Sequence, residues 1–307
     1  MAAKRLFGAT HCVLSALLGT FILSGCAGST PDKSATQTAA AAKAQSNPVT
    51  PVMLALPEAA YEAGHYDQAL RLYRELLVRD PNNSQVKLGI ADCELASNNP
   101  EDANQLYQEI ANDASIRARV LQGQGIALLR LGQNGPAEKA LKEAVASDAT
   151  LWRAWNALGA LYDTNHDWND ADEAYAKALA LVPRSATTNN NFGFSLLSQG
   201  KVDKAIKSFQ MALEIDPSLE PAQMNLRIAL ALDGRYDQAV AGVEGRSLPA
   251  TLNNVGFAAM TRGDYAKAEA YFTQSVNASS SYEDTASKNL QELTVIRGKS
   301  PSAGGGT

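Results

Sequence analysis

A spacing of 34 residues governs most of this chain. The clearest unit places Trp155, Leu158-Gly159 and Tyr162 ahead of Ala171, Tyr175, Ala178 and Pro183. One period later the same frame holds Phe192-Gly193, Leu196, Ala205, Phe209, Ala212 and Pro217. One period earlier it holds Gly125, Leu128, Ala137, Leu141 and Ala144. Frames further out carry Ala103, Tyr107 and Ile110, then Ala69, Tyr73, Leu76 and Pro81, and on the other side Leu226, Leu230, Gly234, Tyr236 and Ala239. Units start at 50, 84, 118, 152, 186 and 220 with no insertion. A unit of this size suits two antiparallel helices, yet it cannot bury its own apolar face, so neighbours must stack. Small residues such as Gly159, Ala171 and Ala178 permit close helix approach, while Trp155, Tyr162 and Tyr175 fill the space between units. Gly64, Gly132, Gly200, Gly234 and Gly263 stand between the helices of a unit, where the chain must turn. Pro81, Pro183 and Pro217 end second helices.

This pattern resembles the tetratricopeptide repeat. The resemblance implies an all-α superhelical solenoid of about seven helix pairs. The sixth unit breaks the rule: after Ala239 the sequence reads VAGVEGRSLP, with Gly242, Gly245 and Pro249 where helix is due. The seventh therefore starts near Pro249, early in the register, and resumes with Val255-Gly256, Gly263-Asp264-Tyr265, Ala268 and Phe272. Ala286, Leu290, Leu293 and Ile296 mark a C-terminal capping helix. The expected organisation is a signal at 1–25, a tether at 26–49, the solenoid with its cap at 50–296 and a disordered tail at 297–307.

The amino terminus carries its own logic. Lys4 and Arg5 precede an apolar run from Val13 to Leu23, too short to span a bilayer and of signal-peptide length. Leu23-Ser24-Gly25-Cys26 resembles a lipobox, the processing site of bacterial lipoproteins. That resemblance implies cleavage between Gly25 and Cys26 and a covalent lipid on Cys26, with no other cofactor. Ala27 follows where Asp would signal inner-membrane retention, so the implied location is the periplasmic face of the outer membrane. Residues 27–49 hold no aromatic side chain and too little apolar surface to offset their ordering entropy. As a coil they would reach about 25–30 Å.

The formal net charge is −5, and −7 once Lys4 and Arg5 leave with the signal. An acidic chain argues against nucleic acid and against electrostatic adhesion to membranes. Of three cysteines, Cys12 departs, Cys26 is lipidated and Cys93 is left as a small core residue, so no intramolecular disulfide forms. His65 and His166 fall in turns and no metal-ligand cluster exists. No nucleophile elbow, phosphate loop or paired-carboxylate pocket is present, and the chain reads as a non-enzyme.

In tetratricopeptide proteins, positions 2, 5, 6, 9, 12 and 13 of a unit line the groove. The register assigns Arg153, Asn156 and Ala160 in the fourth unit, Asn190, Asn191, Phe194 and Leu197 in the fifth, Met224, Asn225 and Ile228 in the sixth, and Asn253, Asn254 and Phe257 in the seventh. An Asn amide donates and accepts, so a ladder of Asn suits the backbone of an extended peptide. Phe194, Met224, Ile228 and Phe257 add apolar contacts. A clamp for a chain-terminal carboxylate needs paired cations, and Arg153 and Arg227 read as isolated.

The stretches NNFGFSLLSQGKVDKAI (190–206), NLRIALALDGRYDQA (225–239) and TLNNVGFAAMTRGDYAKAEAYF (251–272) resemble the tetratricopeptide lipoprotein of the tight-adherence (Flp-type) pilus assembly system. The resemblance implies an outer-membrane lipoprotein that helps a secretin pore or another pilus component assemble. Other readings are an envelope adaptor that recruits hydrolases or proteases, and a pilotin of another type IV pilus or secretion system.

Overall fold

The computed structural model describes residues 48–279 and 284–299. The expected signal segment, Cys26 and the tail from 300 onward lie outside these residues, as does the tether up to residue 47. The described residues form helices joined by turns, with no strand among them, and fall into two compact units, one of residues 48–183 and one from residue 184 on.

The first unit holds four helix pairs: α1 Pro51–Glu62 with α2 Tyr66–Arg79, α3 Ser84–Ala96 with α4 Pro100–Glu109, α5 Arg117–Arg130 with α6 Asn134–Ser147, and α7 Trp152–Asn165 with α8 Trp168–Leu181. The second holds α9 Ala186–Ser198 with α10 Val202–Ile215, α11 Glu220–Leu232 with the short α12 Tyr236–Val240, α13 Leu248–Arg262 with α14 Tyr265–Ala278, and a final helix α15 Asp284–Lys299. Within each unit a helix packs on its partner and on the first helix of the next pair. This is the tetratricopeptide solenoid packing that the 34-residue register dictates.

Close approach depends on particular glycines. A methyl group on Gly159 would lie 2.8 Å from the Tyr175 ring, and one on Gly193 would lie 2.7 Å from Phe209. Gly89 and Gly123, at a different register position, sit under the rings of Tyr73 and Tyr107 from the preceding pair.

The intra-pair turn needs one left-handed residue. Five pairs use the glycines expected from the sequence, Gly64, Gly132, Gly200, Gly234 and Gly263, with φ between 71° and 85°. The second and fourth pairs use Asn98 (φ 66°) and His166 (φ 64°), both of residue types that tolerate this region better than most. Between pairs a short polar device recurs. Asp113, Asp148 and Asp216 each accept from the backbone N–H two residues on, at 2.9–3.0 Å, which turns the chain into the next first helix.

The sixth pair is truncated as the sequence indicated. Helix α12 has five residues. The chain leaves it through Gly242 (φ 68°) and Gly245 (φ 64°) and a 3-10 turn at Gly245–Ser247. Arg227, which read as isolated, caps the shortened helix: its guanidinium donates to the carbonyls of Ala239 and Ala241, both at 2.9 Å. Helix α15 continues to Lys299, three residues past the expected end of the solenoid at 296.

Candidate functional site

Each first helix of the second unit offers the same register positions to one face. On that face α9 contributes Asn190, Asn191 and Phe194, α11 contributes Met224, Asn225 and Ile228, and α13 contributes Asn253, Asn254 and Phe257. The structure alters the role expected for the Asn ladder. Asn190 is 2% exposed, Asn225 6% and Asn253 8%, and Asn191 is buried too. Each has an amide atom bonded to another asparagine. Asn225 Nδ2 donates to Asn190 Oδ1 at 3.0 Å, Asn190 Nδ2 donates to Asn191 Oδ1 at 3.4 Å, and Asn289 Nδ2 of α15 donates to Asn253 Oδ1 at 2.8 Å.

The expectation that these four side chains stand open to a partner backbone is therefore corrected. A first helix lies close enough to the next for one amide to reach another. A buried amide with a partner in reach takes it, since an unpaired one costs about 1–3 kcal/mol. The rungs join positions 35 and 36 residues apart, so they act as inter-repeat ties. Ile228 is also buried, as part of the core of this unit.

What remains accessible on the face is apolar and amide. Met224 is 49% exposed. Phe194 and Phe257 are half-buried, with one side packed on the core. Asn254 is half-buried as well. Asn156 belongs to the first unit, where it is half-buried on α7.

In the first unit, Arg153 is not isolated. It donates to the Tyr61 hydroxyl at 3.3 Å and lies over the Tyr61 and Trp152 rings. Sequence reasoning missed this meeting because the residues lie 92 apart and only the stacking of four pairs joins them. Cys93 is buried, and burial, with Asp92 and Glu94 nearby, raises its thiol pKa to about 12. A thiol so protonated is a poor nucleophile. Among the described residues no three His, Cys, Asp or Glu side chains gather in a way that would hold a metal ion. No helix among them is long and apolar enough to cross a membrane.

Comparisons with known proteins agree on the architecture. The human protein O-mannosyl-transferase TMTC1 is 23% identical over 188 residues, 60% of this chain but 18% of the transferase. The chain thus spans less than a fifth of that relative. A small glutamine-rich tetratricopeptide repeat-containing protein 2 of Mycosarcoma maydis is 38% identical over 74 residues, 24% of this chain and 21% of its own. Among solved structures, the human IFIT1 dimer with m7Gppp-AAAA superposes with a TM-score of 0.59 at 16% identity, over 80% of this chain and 63% of that one. A thermophilic tetratricopeptide protein from Thermus thermophilus gives 0.52 at 20% identity, over 58% and 97% respectively. At these identities the two structures speak to the fold alone. A tetratricopeptide repeat model matches residues 249–282. The model of the cilia and flagella-associated protein 70 C-terminal domain matches residues 10–244, and the chain belongs to that tetratricopeptide-repeat family.

Proposed function

We propose that this chain is a non-enzymatic scaffold that holds a segment of a protein partner on the first-helix face of its second unit. Tetratricopeptide proteins mediate protein–protein interactions, and one observation carries the reading to this face. Although 19% of the chain is charged, positions 2, 5, 6, 9, 12 and 13 of the units starting at 186, 220 and 249 hold no Asp, Glu, Lys or Arg. The accessible groups there include Met224, Phe194, Phe257 and Asn254. Such a face favours an uncharged segment with apolar side chains, whose burial supplies roughly 25 cal/mol per Å² of apolar area.

The lipobox and the resemblance of residues 190–206, 225–239 and 251–272 support a finer reading. In it the chain is an outer-membrane lipoprotein, tethered through Cys26, whose partner is a pilus secretin or another assembly component of a tight-adherence system. The acidic net charge disfavours nucleic acid as a partner.

The test is Met224→Asp. Met224 is half exposed, so the fold is expected to survive, checked by circular dichroism. The charge would have to be desolvated beneath a bound segment. We expect co-purification with the secretin from detergent-solubilised envelope to weaken by about 1–2 kcal/mol, roughly five- to thirtyfold. Undiminished capture near the dissociation constant would move the binding surface away from this face.

A further inference from the structure

Helix α1 opens the first unit and stands apart from the later first helices. Leu54, Pro57 and Ala60 are buried on its inner side. On its outer side Val52 is 83% exposed and Leu56 61%, and Ala55 and Ala59 beside them are exposed too. These four form one helical stripe. One period on, the matching residues of α3 are Val86, Gly89, Ile90 and Cys93, all buried. The cover there is α2, whose Tyr73 ring rests on Gly89. In α7 the matching Ala154, Ala157, Leu158 and Leu161 are buried likewise. In no later pair is a residue at these places exposed. The stripe is thus the surface that this fold packs against a neighbouring helix, and among the described residues none covers it in α1.

Exposed apolar residues scattered singly need no partner, and a solenoid end ordinarily turns a polar face outward. Helix α15 follows that rule, with Lys288, Gln291 and Glu292 exposed around Val295. Helix α1 breaks it. Its exposed polar side chains are Glu58 and Glu62, both toward its carboxyl end, and it holds no Lys or Arg.

We propose that this stripe is a self-association surface, on which two copies of the chain pair their α1 helices antiparallel about a two-fold axis. The residue pattern is self-complementary in that arrangement. With the axis between Ala55 and Leu56, Val52 of each copy meets Ala59 of the other, and Leu56 meets Ala55. Large thus faces small, which lets the helix axes approach to about 8–10 Å. The same register sets Glu62 beside the amino-terminal end of the other α1, where the helix dipole favours a carboxylate. Glu58 comes opposite Met53, so no glutamate confronts a glutamate. A contact of this symmetry closes on itself and builds no fibre. One helix of 12 residues against another buries less than the roughly 1,600 Å² of a standard interface, so the pair is weak in free solution. Tethering on a shared membrane would supply the local concentration such a contact needs. Pairing goes beyond the scaffold reading and would present two partner-binding faces to one assembly.

The experiment is cysteine cross-linking of the full chain in native membranes, with copper phenanthroline as oxidant. The parent chain, whose Cys93 is buried, is the blank. Ala55→Cys lies next to the axis and is expected to form a disulfide-linked homodimer at least about fivefold faster than Val78→Cys, an exposed site on α2 that reports random collision. Val52→Cys is expected to link to Ala59→Cys when the two are co-expressed, and not to itself. Adding Leu56→Glu to Ala55→Cys places a charge in the contact and is expected to lower the linked fraction about tenfold. Leu56 is exposed in the single chain, so circular dichroism should show the fold kept. The proposal falls if Ala55→Cys links no faster than Val78→Cys, if the linked product contains a different protein, or if Val52→Cys links to itself. It falls too if a maleimide reaches Ala55→Cys only after residues 27–46 are deleted, which would make the chain's own preceding segment the cover. Helix α1 belongs to the first unit and Met224 to the second, so neither test decides the other.

Discussion

At the scale of single residues, the asparagines show how a sequence signal can be located correctly and assigned the wrong task. Their recurrence on one face was legible, because a 34-residue register fixes which side of each first helix they occupy. Their pairing was not legible, because it depends on how closely two such helices approach. Asn190→Ala removes the acceptor of Asn225 Nδ2, a buried group. Chemical denaturation is expected to show a loss of about 1–3 kcal/mol, the cost of an orphaned buried amide. A loss below about 0.5 kcal/mol would mean that water or another group replaces the bond. The tyrosines make a second residue-scale case. Burial, then Asp92, pushes the Tyr107 phenol well above its usual value, and burial, then Asp163, does the same for Tyr175. A phenol whose ionisation is suppressed by folding contributes stability in full below the unfolded value of about 10, and that stability is lost as pH rises from there toward the folded value. Stability is thus expected to fall above about pH 10, by up to about 1.4 kcal/mol per pH unit for each buried tyrosine. Tyrosinate absorbance rising before helicity is lost would contradict it.

At the scale of the element, packing glycines and turn glycines do different work, and the sequence separated them by position alone. Gly159 sits within α7 against the Tyr175 ring. A Cβ there would lie 2.8 Å from ring atoms whose hydroxyl is anchored on Asp163 at 2.8 Å, so the ring cannot swing aside. Gly135 lies near the start of α6 with nothing within 4 Å of a Cβ. Alanine is therefore expected to act with opposite signs. Gly159→Ala should cost about 1–2 kcal/mol, overpacking outweighing the better helix propensity. Gly135→Ala should stabilise by about 0.4–1 kcal/mol. Thermal unfolding of both variants checks the pair, and two shifts of the same sign would refute the packing assignment. Two turns were harder to read. Asn98 and His166 replace the turn glycine, and no periodic signal marks a non-glycine residue that will adopt positive φ. The early end of α12 was visible in Gly242, Gly245 and Pro249, whereas its cap was not, because Arg227 comes from the preceding helix.

At the scale of the whole molecule, local frames were readable and long-range meetings were not. The seven pairs and the capping helix follow from residues a few positions apart. The division into two compact units, and the contact of Arg153 in the fourth helix pair with Tyr61 in the first, follow only from the stacked chain. No described helix is long and apolar enough to span a bilayer, and the acidic charge gives no electrostatic adhesion. A lipid on Cys26, as proposed from the lipobox, would supply such a hold, its acyl chains contributing roughly 0.8 kcal/mol per buried methylene. If that reading holds, the native protein stays with membranes through a high-salt wash and leaves with detergent. Cys26→Ser, which removes the sulfur that would carry the lipid, is expected to accumulate as an uncleaved precursor that takes up no labelled fatty acid. Recovery of that variant cleaved after Gly25 and still in the outer-membrane fraction would show that some other contact anchors the chain.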